Sequence, residues 1–243
     1  MDNKKQPEIL WHYTDMAGFQ QIMTPGAWLY GTHYRFFSDP QEGVYFEDLP
    51  PYSTFVTCFT EQGDQKKLWE MWENKTFCIG FSYEALLEAA QYIFYSECLK
   101  NKANEMNNAL FALNDIRLYK VIYSDTPEES YKEFIKKKKE ETNIDEDILR
   151  KNYFLRFKKA NFSKECEWRI IRNYDRIPQN QIEWIADKPR LPLFPIIHAH
   201  MIKHIIYKPK NFANSMIYEK FAKMSCKNLG ININPIAQTK FFF

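Results

Sequence analysis

The chain has 243 residues, with 33 Lys and Arg against 31 Asp and Glu for a formal net charge of +2. So small a charge gives no footing for nucleic-acid binding through net electrostatics alone. Hydrophobic residues make up 45% and aromatics 17%, enough for a substantial core, while a mean hydropathy of −0.54 and the lack of a long apolar run argue against a membrane span.

No linker-like stretch divides the chain, so one domain over 1–243 is expected, with a helical insertion at about 82–152. The opening MDNKKQPE lacks the apolar core of a signal peptide, which makes a cytoplasmic location the expectation. Five cysteines, widely spaced and without a C-x-x-C pair, fit reduced thiols better than a disulfide framework or zinc knuckle. With 7 glycines and no G-x-G-x-x-G, Walker loop or G-x-S-x-G elbow, the common phosphate-loop and hydrolase readings lack support.

In chain order, Ile9-Leu10-Trp11 opens a strand that delivers His12, Tyr13 and Thr14 at its end. A helical interval follows with Met16, Phe19, Ile22 and Met23 on one face, and it stops at Pro25-Gly26. A second strand over 28–34 carries Thr32 and His33 and leads to Arg35, Phe37 and the turn Ser38-Asp39-Pro40, with Glu42 beyond. Residues 54–59 read as a buried strand, and Leu68, Trp69 and Trp72 fall at helical spacing. A strand over 76–81 precedes a long helix candidate over 82–114, with Ser82 able to cap it and Glu84 in its first turn.

Residues 116–123 alternate as one strand. The charged segment 126–151 is helical in pattern, with Pro127 suited to its first turn, and its Glu and Lys residues suit a solvated face. Around Cys166-Glu167-Trp168-Arg169, the period of a strand puts Glu167, Arg169 and Ile171 on one side, with Glu165 extending the row. Strands over 181–185, 192–196 and 201–207, a helix over 211–227 and a last strand over 231–236 complete the pattern. The class is α+β, with a mixed or antiparallel strand-rich core and peripheral helices.

Each candidate for chemistry has a plainer alternative. His12 at a strand end can orient a ribose hydroxyl near neutral pH, or be satisfied by local backbone. Glu167 lies in an apolar run, where a carboxylate is costly unless paired; Arg169 is the obvious partner in a structural ion pair. Thr57, Cys58 and Thr60 form a polar row suited to a ligand or to an ordinary core strand. Trp69 and Trp72 would wall a pocket or fill the core. Asp39, Glu42 and Arg35 would be a catalytic cluster or a turn with a surface ion pair. His198, His200 and His204 place two imidazoles on one strand face in the manner of zinc ligands, with no Cys, Asp or Glu nearby to complete a set, so no metal is expected.

The blocks Leu10-Trp11-His12-Tyr13-Thr14, residues 29–36 running to Asp39 and Glu42, residues 55–61 with Trp69, Cys78-Ile79-Gly80-Phe81, Lys120-Val121-Ile122-Tyr123 and residues 162–171 resemble, in the same order, the bacterial domain-of-unknown-function family 2971. Two positions depart from it. The family usually has Asn where this chain has Ser38, and Ser-Phe-Ser where it has Cys58-Phe59-Thr60.

More distantly, H-x-T on the first strand, a hydroxyl-bearing central strand and a late Glu resemble the His-Tyr-Glu layout of the ADP-ribosyltransferase fold. That likeness implies NAD as substrate, split at the nicotinamide–ribose bond, with ADP-ribose passing to a protein or nucleic-acid acceptor or to water. It implies that His12 holds the nicotinamide ribose, with Tyr13 and Thr14 beside it, and that Glu167 bonds the 2′-hydroxyl and stabilises the transition state. A ring from Tyr34 or Phe37 would stack on nicotinamide; Thr32, Arg35, Asp39, Glu42, Thr60, Trp69 and Arg169 would line the substrate. Small members of such folds serve as toxins or phage-defence effectors. The alternative expectation is a non-catalytic module holding a nucleotide, nucleic acid or protein through the same cleft or the basic run at 136–139.

Overall fold

The computed structural model describes residues 6–37, 54–100, 116–141, 150, 153–173, 182–185, 188–209 and 212–238. In chain order the elements are β1 (Ile9–Thr14), α1 (Met16–Ile22), β2 (Trp28–His33), β3 (Thr54–Thr60), α2 (Lys66–Met71), β4 (Phe77–Ser82), α3 (Tyr83–Lys100), β5 (Ile116–Lys120) and β6 (Ile122–Tyr123). They continue with α4 (Pro127–Glu141), β7 (Phe157–Lys158), β8 (Glu167–Asn173), β9 (Glu183–Ile185), β10 (Lys188–Pro195), α5 (His198–Met201), β11 (Ile202–Tyr207), α6 (Phe212–Asn228) and β12 (Ile236–Ala237). The class is α+β with mainly antiparallel pairing. Among the described residues no helix is long and apolar enough to cross a membrane.

The chain forms two compact units, each built from separated segments: Met1–Leu29, Phe59–Ala89 and Phe194–Phe243 in the first, Tyr30–Cys58 and Ala90–Leu193 in the second.

In the first unit the strand order is β12–β11–β4–β1. β4 lies antiparallel between β1, in register from Ile9↔Ser82 to Thr14↔Phe77, and β11. Its Phe77, Cys78, Ile79 and Phe81 are all fully buried, which is why the run Phe77-Cys78-Ile79-Gly80-Phe81 carries no polar alternation: both faces are covered. Phe19 of α1 stacks on Phe77 at 3.9 Å, with Phe221 and Tyr218 of α6 against the same pair. A second cluster holds Tyr13, Leu68, Trp69, Cys78 and Ile206. Each such buried side chain contributes roughly 1.5–3 kcal/mol relative to exposure.

α1 begins where Asp15 accepts a hydrogen bond from the Gly18 N–H at 2.8 Å, satisfying one of the donors a helix start leaves open. Asp15→Ala should therefore cost about 1 kcal/mol and Asp15→Asn little, measured as the shift in urea midpoint at constant slope. Ser82 caps α3 through its Oγ to the Ala85 N–H at 3.3 Å, with Glu84 in the first turn. The part of the expected helix beyond residue 100 lies outside the described residues.

In the second unit the strands run β9–β10–β2–β3–β8–β5, with β6 and β7 as a separate parallel pair. β8 and β5 are antiparallel from Ile116↔Arg172 to Lys120↔Trp168. Tyr34, Val56, Tyr131, Tyr153, Phe154, Leu155, Phe157 and Ile171 make the core. α4 inserts Tyr131 and leans Phe134 and Ile135 on it, while Glu128, Glu129, Lys132, Glu133, Lys136 and Lys137 face solvent.

Three local expectations are corrected here. Residues 116–123 are not one strand: Val121 donates to the Glu167 carbonyl at 3.0 Å and Ile122 to the Arg156 carbonyl at 2.7 Å, so the chain leaves β8 and joins β7. Glu165 does not continue the β8 row. It ends a 3-10 turn (Ala160–Glu165), and Cys166 between them is left-handed at φ 44°, a conformation non-glycine residues seldom adopt. The last strand is confined to Ile236–Ala237, running parallel to β11.

Candidate functional site

The head of β8 carries a buried group of four charges. Glu167 is 5% exposed and Arg169 1%. Their two-residue spacing on a strand turns both side chains to one side, and Arg169 grips the carboxylate in a fork: Nε to Oε1 at 2.7 Å and Nη2 to Oε2 at 3.3 Å. Arg169 also donates to the Leu155 carbonyl at 3.4 Å and lies 5.4 Å from the Phe37 ring. Lys158, from β7, spans two carboxyl groups, donating to Glu165 Oε2 at 2.6 Å and to Glu167 Oε2 at 3.1 Å. Its ammonium lies 4.8 Å from the Phe162 ring.

Backbone contacts fix the group further. The Glu167 N–H donates to the Tyr123 hydroxyl at 2.8 Å, and the Cys58 side chain hydrogen-bonds the Glu167 carboxylate. Burial opposes ionisation of Glu167, but the charges of Arg169 and Lys158 outweigh it and hold its pKa below the usual carboxylate range. Glu165 moves the other way: burial raises its pKa, the adjacent Glu167 adds to that, and Lys158 only partly offsets them. Tyr123 is raised too, by burial first and then by the two carboxylates.

The first unit gathers His12, Tyr13, Thr14, Thr60 and Trp69, but on two faces. His12 is half-buried with its ring 5.6 Å from Phe59. Tyr13, the next residue along β1, points the opposite way into the core, 4.6 Å from Trp69. Its hydroxyl donates to the Gln62 carbonyl and accepts from the Gln65 N–H. Trp69 is fully buried and donates through Nε1 to Asp64 at 3.2 Å. Thr14 and Thr60 are buried, Thr60 accepting from the Gln62 N–H at 3.0 Å.

The second unit holds the remaining expected residues. Thr32 of β2 pairs with Val56 of β3. Tyr34 is 1% exposed and belongs to the core, not to a surface; Arg35 is exposed and donates to the Tyr34 hydroxyl at 3.2 Å. Phe37 is the ring that meets Arg169. His33 is buried, which pushes its pKa down to about 4 with Arg35 assisting, so the imidazole is neutral at pH 7. Asp39 and Glu42 lie outside the described residues. His12 belongs to the first unit and Glu167 to the second.

The three late histidines do not share a strand face. His198 and His200 sit in the helical turn α5, where a two-residue spacing sends side chains to opposite sides. His198 Nε2 bonds the Ile22 carbonyl at 2.7 Å, His200 Nε2 bonds Glu88 at 3.1 Å, and His204 stacks on Trp11 at 5.5 Å. Among the described residues no three His, Cys, Asp or Glu side chains gather as metal ligands do.

Sequence reasoning missed Lys158, Glu165 in its paired role and Tyr123, and saw Cys58 only as part of a polar row on the third strand. One signal was available: a buried Glu beside a single Arg in a low-dielectric setting calls for further donors, and Lys158 is the nearest lysine preceding it with an apolar neighbour, Phe157, on its amino side. Comparison with family models, curated proteins and solved structures finds no match to this chain.

Proposed function

We propose that this protein is an ADP-ribosyltransferase-like enzyme of the bacterial family its sequence resembles, acting on NAD or a related nucleotide in the cytoplasm. The supporting observation is the Glu167 carboxylate, kept charged and fixed at the head of β8 by Arg169 and Lys158. In the transfer, the bond from ribose C1′ to nicotinamide breaks with its electron pair leaving on nicotinamide. A hydroxyl or amine of the acceptor then bonds C1′ and releases its proton to water. A preorganised anion in dry surroundings favours the cationic sugar between those steps. The resemblance also assigns His12 of the first unit to the ribose, while the structural support for the reading is confined to the Glu167 group of the second unit. The acceptor class is protein or nucleic acid, and the toxin or phage-defence role follows the resemblance.

One observation favours a second reading. Both Glu167 oxygens already receive bonds from Arg169 and Lys158, the arrangement of a scaffold ion network in a non-catalytic binding module. Incubation with NAD separates the two. The enzyme should release nicotinamide, and His12→Ala should lower the rate by about 10²-fold or more without a change in melting temperature. Absence of nicotinamide release, with total RNA and cell lysate supplied as acceptors and no thermal shift by NAD, would establish the binding-module reading instead.

A further inference from the structure

We infer that Lys158 is a positioning residue, a clamp whose ammonium ties the Glu165 carboxyl to the Glu167 carboxylate and so holds Glu167 at the head of β8. As a statement about catalysis this rests on the transferase reading; as a statement about the clamp it does not. Three observations carry it. Lys158 reaches both carboxyl groups within hydrogen-bond distance, at 2.6 and 3.1 Å, with its side chain only 11% exposed. The two carboxylates stand on different elements, Glu165 on the 3-10 turn and Glu167 on β8, separated by the left-handed Cys166. Finally, Arg169 holds the Glu167 carboxylate from its own strand, at 2.7 and 3.3 Å, while Lys158 reaches it from β7.

Two carboxylates this close repel unless a cation lies between them. Without Lys158, Glu165 would have to turn outward or hold a proton, and the left-handed link at Cys166 would be free to relax. Glu167 would then lose its 3.1 Å donor from β7. Among the described residues, Tyr123 presents a hydroxyl to the pair from β6 and Cys58 a thiol from β3. Phe162 and Phe37 present rings, and the Cys166 thiol is turned to the Ser163 carbonyl.

The test uses the full chain as wild type, Lys158→Met and Lys158→Arg, with two readouts. The first is melting temperature from about pH 5 to about pH 8. In Lys158→Met the pair binds a proton more tightly folded than unfolded, so stability falls as pH rises across that window. The midpoint of the fall should move up by ~1 pH unit or more relative to wild type, and Lys158→Arg should restore the wild-type profile. Identical profiles for wild type and Lys158→Met overturn the clamp. Should Lys158→Met fail to fold, the double variant Lys158→Met with Glu165→Gln decides: recovered folding supports the clamp, and continued failure overturns it.

The second readout is nicotinamide release from NAD. Lys158→Met should lower kcat by ~10-fold or more with KM unchanged, and Lys158→Arg should recover it. An unchanged kcat in Lys158→Met overturns the positioning role. A wild type without turnover sinks the transferase reading, while the pH profile still decides the clamp.

Discussion

Arg169→Met should destabilise the second unit by about 3–5 kcal/mol, the range for removing one partner of a buried ion pair. Arg169 is 1% exposed and supplies two of the bonds that Glu167 receives. Methionine keeps only the stem of the side chain and leaves Glu167 Oε1 without its 2.7 Å donor. The pH dependence should change with a definite sign. In the wild type the Glu167 pKa is depressed, so its stabilisation is present above the usual carboxylate range and is lost only as pH falls through the lowered value. Without Arg169 the acid limb should begin at higher pH. Urea unfolding at neutral pH and at about pH 4 measures both effects. Replacing both partners, Arg169→Met with Glu167→Leu, should recover much of the loss, because a fitted apolar pair no longer holds an unmatched charge. A single-variant cost below about 1 kcal/mol would contradict a buried anchoring pair.

Half of this cluster could be read in the sequence because it is local. Glu167 and Arg169 are two residues apart in a strand, so the strand period alone turns them to one side. Lys158 could not be placed that way. It reaches the carboxylates through the pairing of β7 with β6 and the 3-10 turn that follows, and two-residue strands such as these leave no periodic pattern. Cys166 is a similar case: nothing in a Glu-Cys-Glu run announces a left-handed residue, because the tertiary contacts on either side impose it. Residues 116–123 alternate without interruption, yet Val121 bonds Glu167 and redirects the chain, a choice made by a partner strand some 40 residues on. His198 and His200 failed for the opposite reason. A four-residue helical turn is too short to show its period, so H-x-H read as strand. The longer elements, β1, β3, β4 and α6, carried enough apolar residues to declare themselves.

Gly63→Ala should be a disruptive single-methyl change in the first unit. An added Cβ would run into the Trp11 ring, with Cζ2 only 2.6 Å away, well inside an ordinary contact. Gly63 is not left-handed, so the penalty is steric and owes nothing to backbone strain. The Trp11 ring also stacks on His204 at 5.5 Å and 25°, and Gly80 lies so close that a Cβ there would be 3.1 Å from Trp11 Cζ3. Overpacking of a confined site costs about 1–3 kcal/mol. Trp11→Phe on the same background should recover part of that cost, giving a non-additive double-variant cycle. On the proposed reading this packing also bears on turnover, because Trp11 directly precedes His12 on β1. The expected result is a lower melting temperature together with changed tryptophan fluorescence and, where NAD turnover is measured, a reduced rate. A Gly63→Ala protein as stable as wild type would mean that the Trp11 ring does not rest on Gly63.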